Sequence, residues 1–203
     1  MAEVKISALS ALNTMTDSAV MPVVEGGATK KITGTNLKSY FSPPAVHGCF
    51  HKMANVTAAA ADTVYNFDWF TDVTQHVGDR GVTVTSVEPT RVNISTAGDY
   101  LVQLEMIIKI TGNAERNVFL WLAKNGNDIA ETGVKISLRQ GVNPVYQTIA
   151  KPWLLHDINA NDYIQLRFAV SREDGISLEF TPAQTTPYVR PAIPSAVFTV
   201  TQI

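Results

Sequence analysis

Residues 47–203 read as an almost unbroken series of short β-strands, each closed by a turn signal. The signals are Gly78-Asp79, Thr96-Ala97-Gly98, Thr111-Gly112-Asn113, Asn125-Gly126-Asn127 and Glu173-Asp174-Gly175. These residue types accept positive φ or hydrogen-bond their own backbone. The strands predicted between them are 47–53, 63–67, 81–86, 90–95, 99–110, 117–124, 128–138, 145–155, 162–170, 176–180 and 195–203. Many short strands at regular spacing predict a sandwich or a barrel. The helix-forming residues 57–62 make too short a run, between β-like segments, to predict a helix.

Alternation assigns the faces. In 100–108, Tyr100, Val102, Leu104, Met106 and Ile108 point inward and Gln103 and Glu105 outward. In 162–170 the inward set is Ile164, Leu166, Phe168 and Val170, with Gln165 and Arg167 outward. Such strands are buried on one face only. Strand 117–124 differs. Leu120 and Leu122 serve the core, yet Phe119, Trp121 and Ala123 on the other face are apolar too. An apolar outer face requires a cover, and a neighbouring subunit is the simplest one. A loop or the N-terminal segment is the alternative.

Residues 1–41 form a separate module. Val20 to Glu25 is a short apolar strand, Gly26-Gly27 a hairpin turn, and Ala28 to Thr33 the returning strand. Thr33 or Thr35 then caps a short helix through Phe41, with Leu37, Tyr40 and Phe41 at helical spacing. About 40 residues bury little alone, so the module needs a partner or copies of itself. Ser42-Pro43-Pro44 stops the helix and stiffens the chain, making 42–46 a linker.

Bulk properties exclude several classes. A net charge of −2 gives no reason to expect nucleic acid, which needs clustered Lys and Arg. No 18-residue apolar run predicts a membrane-spanning helix, and the N-terminus lacks the pattern of a secretory signal. The single cysteine, Cys49, makes no internal disulfide and reads as an inert, small hydrophobe made in a reducing cytoplasm.

Two resemblances follow from these residues. The C-terminal run resembles the jelly-roll head of tumour necrosis factor and the complement globular heads. Its Gly-x-Tyr strand start is matched by Gly98, Asp99 and Tyr100, and its Lys-Asn-Gly strand end by Lys124, Asn125 and Gly126. Its Leu-x-x-Gly-Asp-x-Val-x-Leu stretch is matched by Ile158, Asn161, Asp162, Tyr163, Ile164 and Leu166, with Asn161 in place of glycine. Its final Ser-x-Phe strand is approximated by Ser195 and Val197. That family forms trimers around an apolar seam, so the resemblance implies a homotrimer. The outward residues Phe119, Trp121 and Ala123 are the expected trimer interface.

The N-terminal module resembles the first segment of many tailed-bacteriophage virion proteins. Lys5-Ile6-Ser7 leads through Pro22-Val23-Val24, the glycine turn and Thr29-x-Lys31-Ile32-Thr33 to a short helix containing Leu37. In such proteins this segment sits at the virion-proximal end. The resemblance implies a virion anchor built on Ile6, Leu9, Leu12, Val20, Pro22, Val23, Val24, Ile32, Leu37, Tyr40 and Phe41.

No chemistry competes with this reading. His47 and His51 lie four apart on one strand face, without a supporting carboxylate or cysteine constellation for a metal. His156-Asp157 is half a triad without a serine elbow. No cofactor is expected, and catalysis is not. The expected protein is a mainly β, antiparallel jelly-roll sandwich with a small hairpin-plus-helix anchor. It is a trimeric short fibre or decoration of a phage virion, favoured on the capsid, with capsid or tail proteins as partners of residues 1–41. The alternatives are a tail fibre or spike that adsorbs to the host and, less favoured, a cytokine-like ligand. For adsorption to a host glycan or protein, the residues expected to touch the ligand are Asn113, Glu115, Arg116, Asn127, Asp128, Arg172, Glu173 and Asp174.

Overall fold

A computed structural model describes residues 20–25, 28–33, 46–69, 79–112, 114–139 and 144–203. The chain divides into two compact units, Met1–Pro44 and Ala45–Ile203. In the first, β1 (Val20–Glu25) and β2 (Ala28–Thr33) form an antiparallel hairpin. Its register sets Glu25 opposite Ala28. The helix expected before Phe41 lies outside the described residues.

The second unit holds β3 (His47–Lys52), β4 (Tyr65–Asn66), β5 (Val82–Thr83), β6 (Val92–Ile94), β7 (Gly98–Ile110) and β8 (Arg116–Lys124). It continues through β9 (Asn127–Asp128), β10 (Val134–Leu138), β11 (Val145–Ile158), β12 (Tyr163–Val170), β13 (Ile176–Leu178) and β14 (Ala196–Gln202). One sheet runs β11-β7-β14-β3, with β13 also paired to β7. The other runs β10-β8-β12-β6-β5, with β4 on β12 and β9 on β8. Every ladder is antiparallel.

The strand order is that of one long hairpin rolled over on itself. Taking β3, β6, β7, β8, β10, β11, β12 and β14 as its strands, the first lies beside the last and the second beside the seventh. The third lies beside the sixth and the fourth beside the fifth. That nesting is a jelly roll, a closer description than the sandwich or barrel that the strand spacing predicted.

The core fills the space between the sheets. Tyr100, Val102, Leu104, Met106 and Ile108 are all buried, while Gln103 and Glu105 are exposed, in the alternation read from the sequence. Phe50, Phe67, Trp69 and Phe198 form its aromatic centre. The Trp69 ring lies 4.3 Å from Phe67 and 5.0 Å from Phe198. Each fully buried side chain of this kind contributes roughly 1.5–3 kcal/mol. Tyr100 meets the polar cost of its position by donating its hydroxyl to the Thr96 carbonyl at 2.7 Å.

Local chemistry explains the departures from the expected strands. Strand 128–138 is broken into β9 and β10. The Thr132 side chain accepts the Leu122 N–H and donates to the Ile129 carbonyl, holding a turn with Glu131 at φ 64°. Strand 145–155 runs on to Ile158, with its pairing to β7 shifted between Leu155 and Ile158. Asp157 takes φ 54° at that irregularity. Gln165, expected outward in solvent, is buried, and its side-chain amide reaches the Thr90 hydroxyl.

Candidate functional site

Two loops meet at one end of the sandwich. One joins β7 to β8, the other β12 to β13. Thr111 donates its N–H to the Gly175 carbonyl at 2.8 Å. A Cβ on Gly175 would lie 2.3 Å from the Thr111 carbonyl oxygen, and its φ is +69°, so only glycine fits. Arg116 holds both loops. Its Nε donates to the Asp174 carbonyl at 2.6 Å and its Nη1 to the Ala114 carbonyl at 2.9 Å. Its Nη2 reaches the Asp174 carboxylate at 3.1 Å. Arg116 is only 3% exposed.

This geometry changes the expected ligand set. Arg116 is buried and engaged with the loops' own groups, so it organises the loops rather than meeting a ligand at the surface. Glu115 and Glu173 are exposed beside it, and Arg172 bonds the second oxygen of Asp174. Asn113 lies outside the described residues.

Asn127 and Asp128 belong elsewhere. The ladder between β8 and β12 sets Val118 opposite Val170 at the Arg116 end and Lys124 opposite Ile164 at the other. The Asn125-Gly126 turn is therefore remote from the 111–116 and 171–175 loops. Asn125 and Gly126 take φ 52° and 80°, as a tight hairpin link between β8 and β9 requires. The Asn125 amide bonds Asp162 at 2.7 Å and accepts the Tyr163 N–H at 3.0 Å, tying this turn to the one before β12.

Nearby, Asp128 receives the Trp121 indole N–H and the Arg167 guanidinium, both at 2.6 Å. The outer face of β8 is thus partly covered by its own chain. Ala123 is fully buried between Gln165 and Asp128 in the sheet, while Phe119 and Trp121 are half-buried. Ala123 is buried in the single chain and has no surface to offer a neighbouring subunit.

Of the residues expected to anchor, Val20, Pro22, Val23 and Val24 lie in β1 and Ile32 in β2, opposite Met21. Ile6, Leu9, Leu12, Leu37, Tyr40 and Phe41 lie outside the described residues.

His156 pairs with a residue that adjacency in the sequence did not suggest. Its Nδ1 lies 3.0 Å from the Asp99 carboxylate, whose other oxygen accepts the Asp157 N–H at 3.1 Å. His47, Cys49 and His51 share one face of β3, and Cys49 Sγ lies 3.4 Å from His51 Nε2. Among the described residues, no group of three or more His, Cys, Asp or Glu is placed to hold a metal.

Three aspartates clasp turns, and each is held below the usual carboxylate range. For Asp99 the main cause is the hydrogen bond from His156, for Asp162 that from Asn125, and for Asp174 that from Arg172. A depressed folded-state pKa gives stability that is present above the unfolded value of about 3.9 and lost as pH falls through the folded one. Urea titrations from about pH 6 to about pH 2 are therefore expected to show a falling midpoint below about pH 4. Asp162→Asn should lower the midpoint at neutral pH and flatten that acid limb. An unchanged limb would remove Asp162 from the account.

The outer face of the β11-β7-β14-β3 sheet has few charges. Between Leu101 and Ile107 on β7 the only charged residue is Glu105. Thr148, Ala150, Pro152 and Leu154 of β11 flank it on one side, and Val197, Thr199 and Thr201 of β14 on the other. Leu154 remains 51% exposed, and Ile193 nearby on the same side of Glu105 and Val197 is 41% exposed.

No family model matches the chain, and no curated protein does. Among solved structures the chain is similar to the Eiger tumour necrosis factor of S. frugiperda, at 16% identity and a TM-score of 0.46. The match covers 79% of this chain and 93% of that one. The jelly-roll assignment rests on the strand order itself.

Proposed function

We propose that the chain is a non-catalytic structural subunit of a tailed-phage virion, in which the jelly roll forms a projecting homotrimeric head of the tumour-necrosis-factor type and residues 1–41 attach it, by preference to the capsid. The observation that carries this reading is the division into two units of unlike construction. The hairpin of 20–25 and 28–33 lies within the segment that resembles phage virion proteins, and the jelly roll comes after the Pro43-Pro44 pair. Three copies joined through their heads would present three attachment segments at once, and linked weak contacts bind far more strongly than one.

The weakly charged outer face of the β11-β7-β14-β3 sheet supports self-association there rather than over Phe119 and Trp121. It keeps Leu154 in solvent, whereas the opposite face is laced by Asp128 and Arg167. Burying it would supply the apolar centre that stable interfaces have.

Deleting residues 1–41 tests the attachment role. The truncated chain is expected to fold with an unchanged urea midpoint and to be absent from particles assembled in its presence. Incorporation at the level of the full chain would remove the division of labour on which this reading stands. A map of intact particles would show whether the heads stand on the capsid or the tail.

A further inference from the structure

One lateral edge of the sandwich holds a cleft that the assembly role leaves unused. It has a volume of about 440 Å³ and lies between the end of β3 with the chain that follows and β4 on the other sheet. That size falls within the usual range for small-molecule sites. Tyr65 and Phe168 line it, their rings stacked at 5.3 Å and 28°. Lys52, Asn55, Thr57, Asn66 and Asp68 are the other polar lining residues.

The hydrogen-bond pattern states what these groups can still offer. Asn66 accepts at Oδ1 from Arg167 at 3.1 Å, and Asn55 accepts at Oδ1 from the Phe180 N–H at 2.7 Å. Both acceptor ends are engaged, so each side-chain NH₂ is the end left to donate to a ligand. Lys52 Nζ lies 4.0 Å from the Asp68 carboxylate, which is 46% exposed. The charges in the cleft balance. An anion would face Asp68 and a cation would face Lys52, while a wholly apolar ligand would leave the two amide NH₂ groups without partners.

We propose that this cleft binds an uncharged sugar unit. Its aromatic wall would take the C–H face of the ring, the two amide NH₂ groups its hydroxyl oxygens, and Asp68 its hydroxyl protons. The proposal requires neither a virion location nor a trimer, so it stands or falls apart from the function proposed above.

Saturation-transfer NMR on the full chain with glucose, galactose, mannose and N-acetylglucosamine tests it. At least one sugar is expected to give a saturable signal that added sodium sulfate does not displace. Thr57 is an exposed residue of the lining, so Thr57→Trp fills the cleft without touching the core and should abolish the signal. Asp68→Ala should weaken binding about tenfold, as loss of one or two hydrogen bonds would. Thermal melts of each variant separate loss of the fold from loss of the site. Absence of signal with all four sugars, or a signal that survives in a folded Thr57→Trp protein, overturns the proposal.

Discussion

Arg116→Met is expected to lower the stability of the jelly roll by about 3 kcal/mol, read from urea denaturation. The methionine keeps much of the arginine's volume and removes its donors. The carbonyls of Ala114 and Asp174 then lose their partners, and the Asp174 carboxylate keeps only Arg172. Hydrogen exchange should accelerate in both joined loops, 111–115 and 171–175, though they are distant in the chain. Arg172 supplies the control. Its ion pair with the same aspartate is about half exposed, and such pairs contribute at most about 1 kcal/mol. Arg172→Met should therefore shift the midpoint little. Equal losses from the two substitutions would mean that the Asp174 charge, rather than the buried guanidinium, holds the loops.

That arginine also marks where the sequence stops being legible. Strand periodicity is a local property, so β7 and the inner face of β8 could be read directly. Asn125-Gly126 announced its own hairpin, because few residue pairs accept two successive positive φ angles. What Arg116 does depends on Asp174, 58 residues away, and His156 meets Asp99 at a separation of 57. Those encounters follow from the rolling of the sandwich, not from any spacing in the chain. Ala123 misled for a related reason. Alternation placed it outward, but its single methyl is buried within the one chain, and periodicity does not report how much of an outward side chain stays in solvent. The Tyr65–Phe168 cleft left no signal at all, since its walls come from three separate segments of the chain.

The other large effect concerns assembly. Leu154→Lys places a charge on the weakly charged face, on its edge strand β11 opposite Leu101, at a position exposed enough for the single protomer to accept it. Surface changes of this kind usually alter folding stability by less than about 0.5 kcal/mol. Burying an unpaired ammonium in an interface between copies costs several kcal/mol, which corresponds to a loss of affinity of at least about a hundredfold. The variant is thus expected to be a folded monomer at concentrations where the parent protein is associated. Phe119→Lys, on the opposite sheet, should leave association unchanged. If the outcomes are reversed, the seam runs over Phe119 and Trp121, as their outward positions on β8 first suggested.

The assembly prediction presupposes that the head associates in threes. Light scattering on the full chain, eluting from a sizing column at micromolar concentration, measures that directly. The account predicts a mass three times that of the 22.1 kDa chain. A single-chain mass across the concentration range would contradict it.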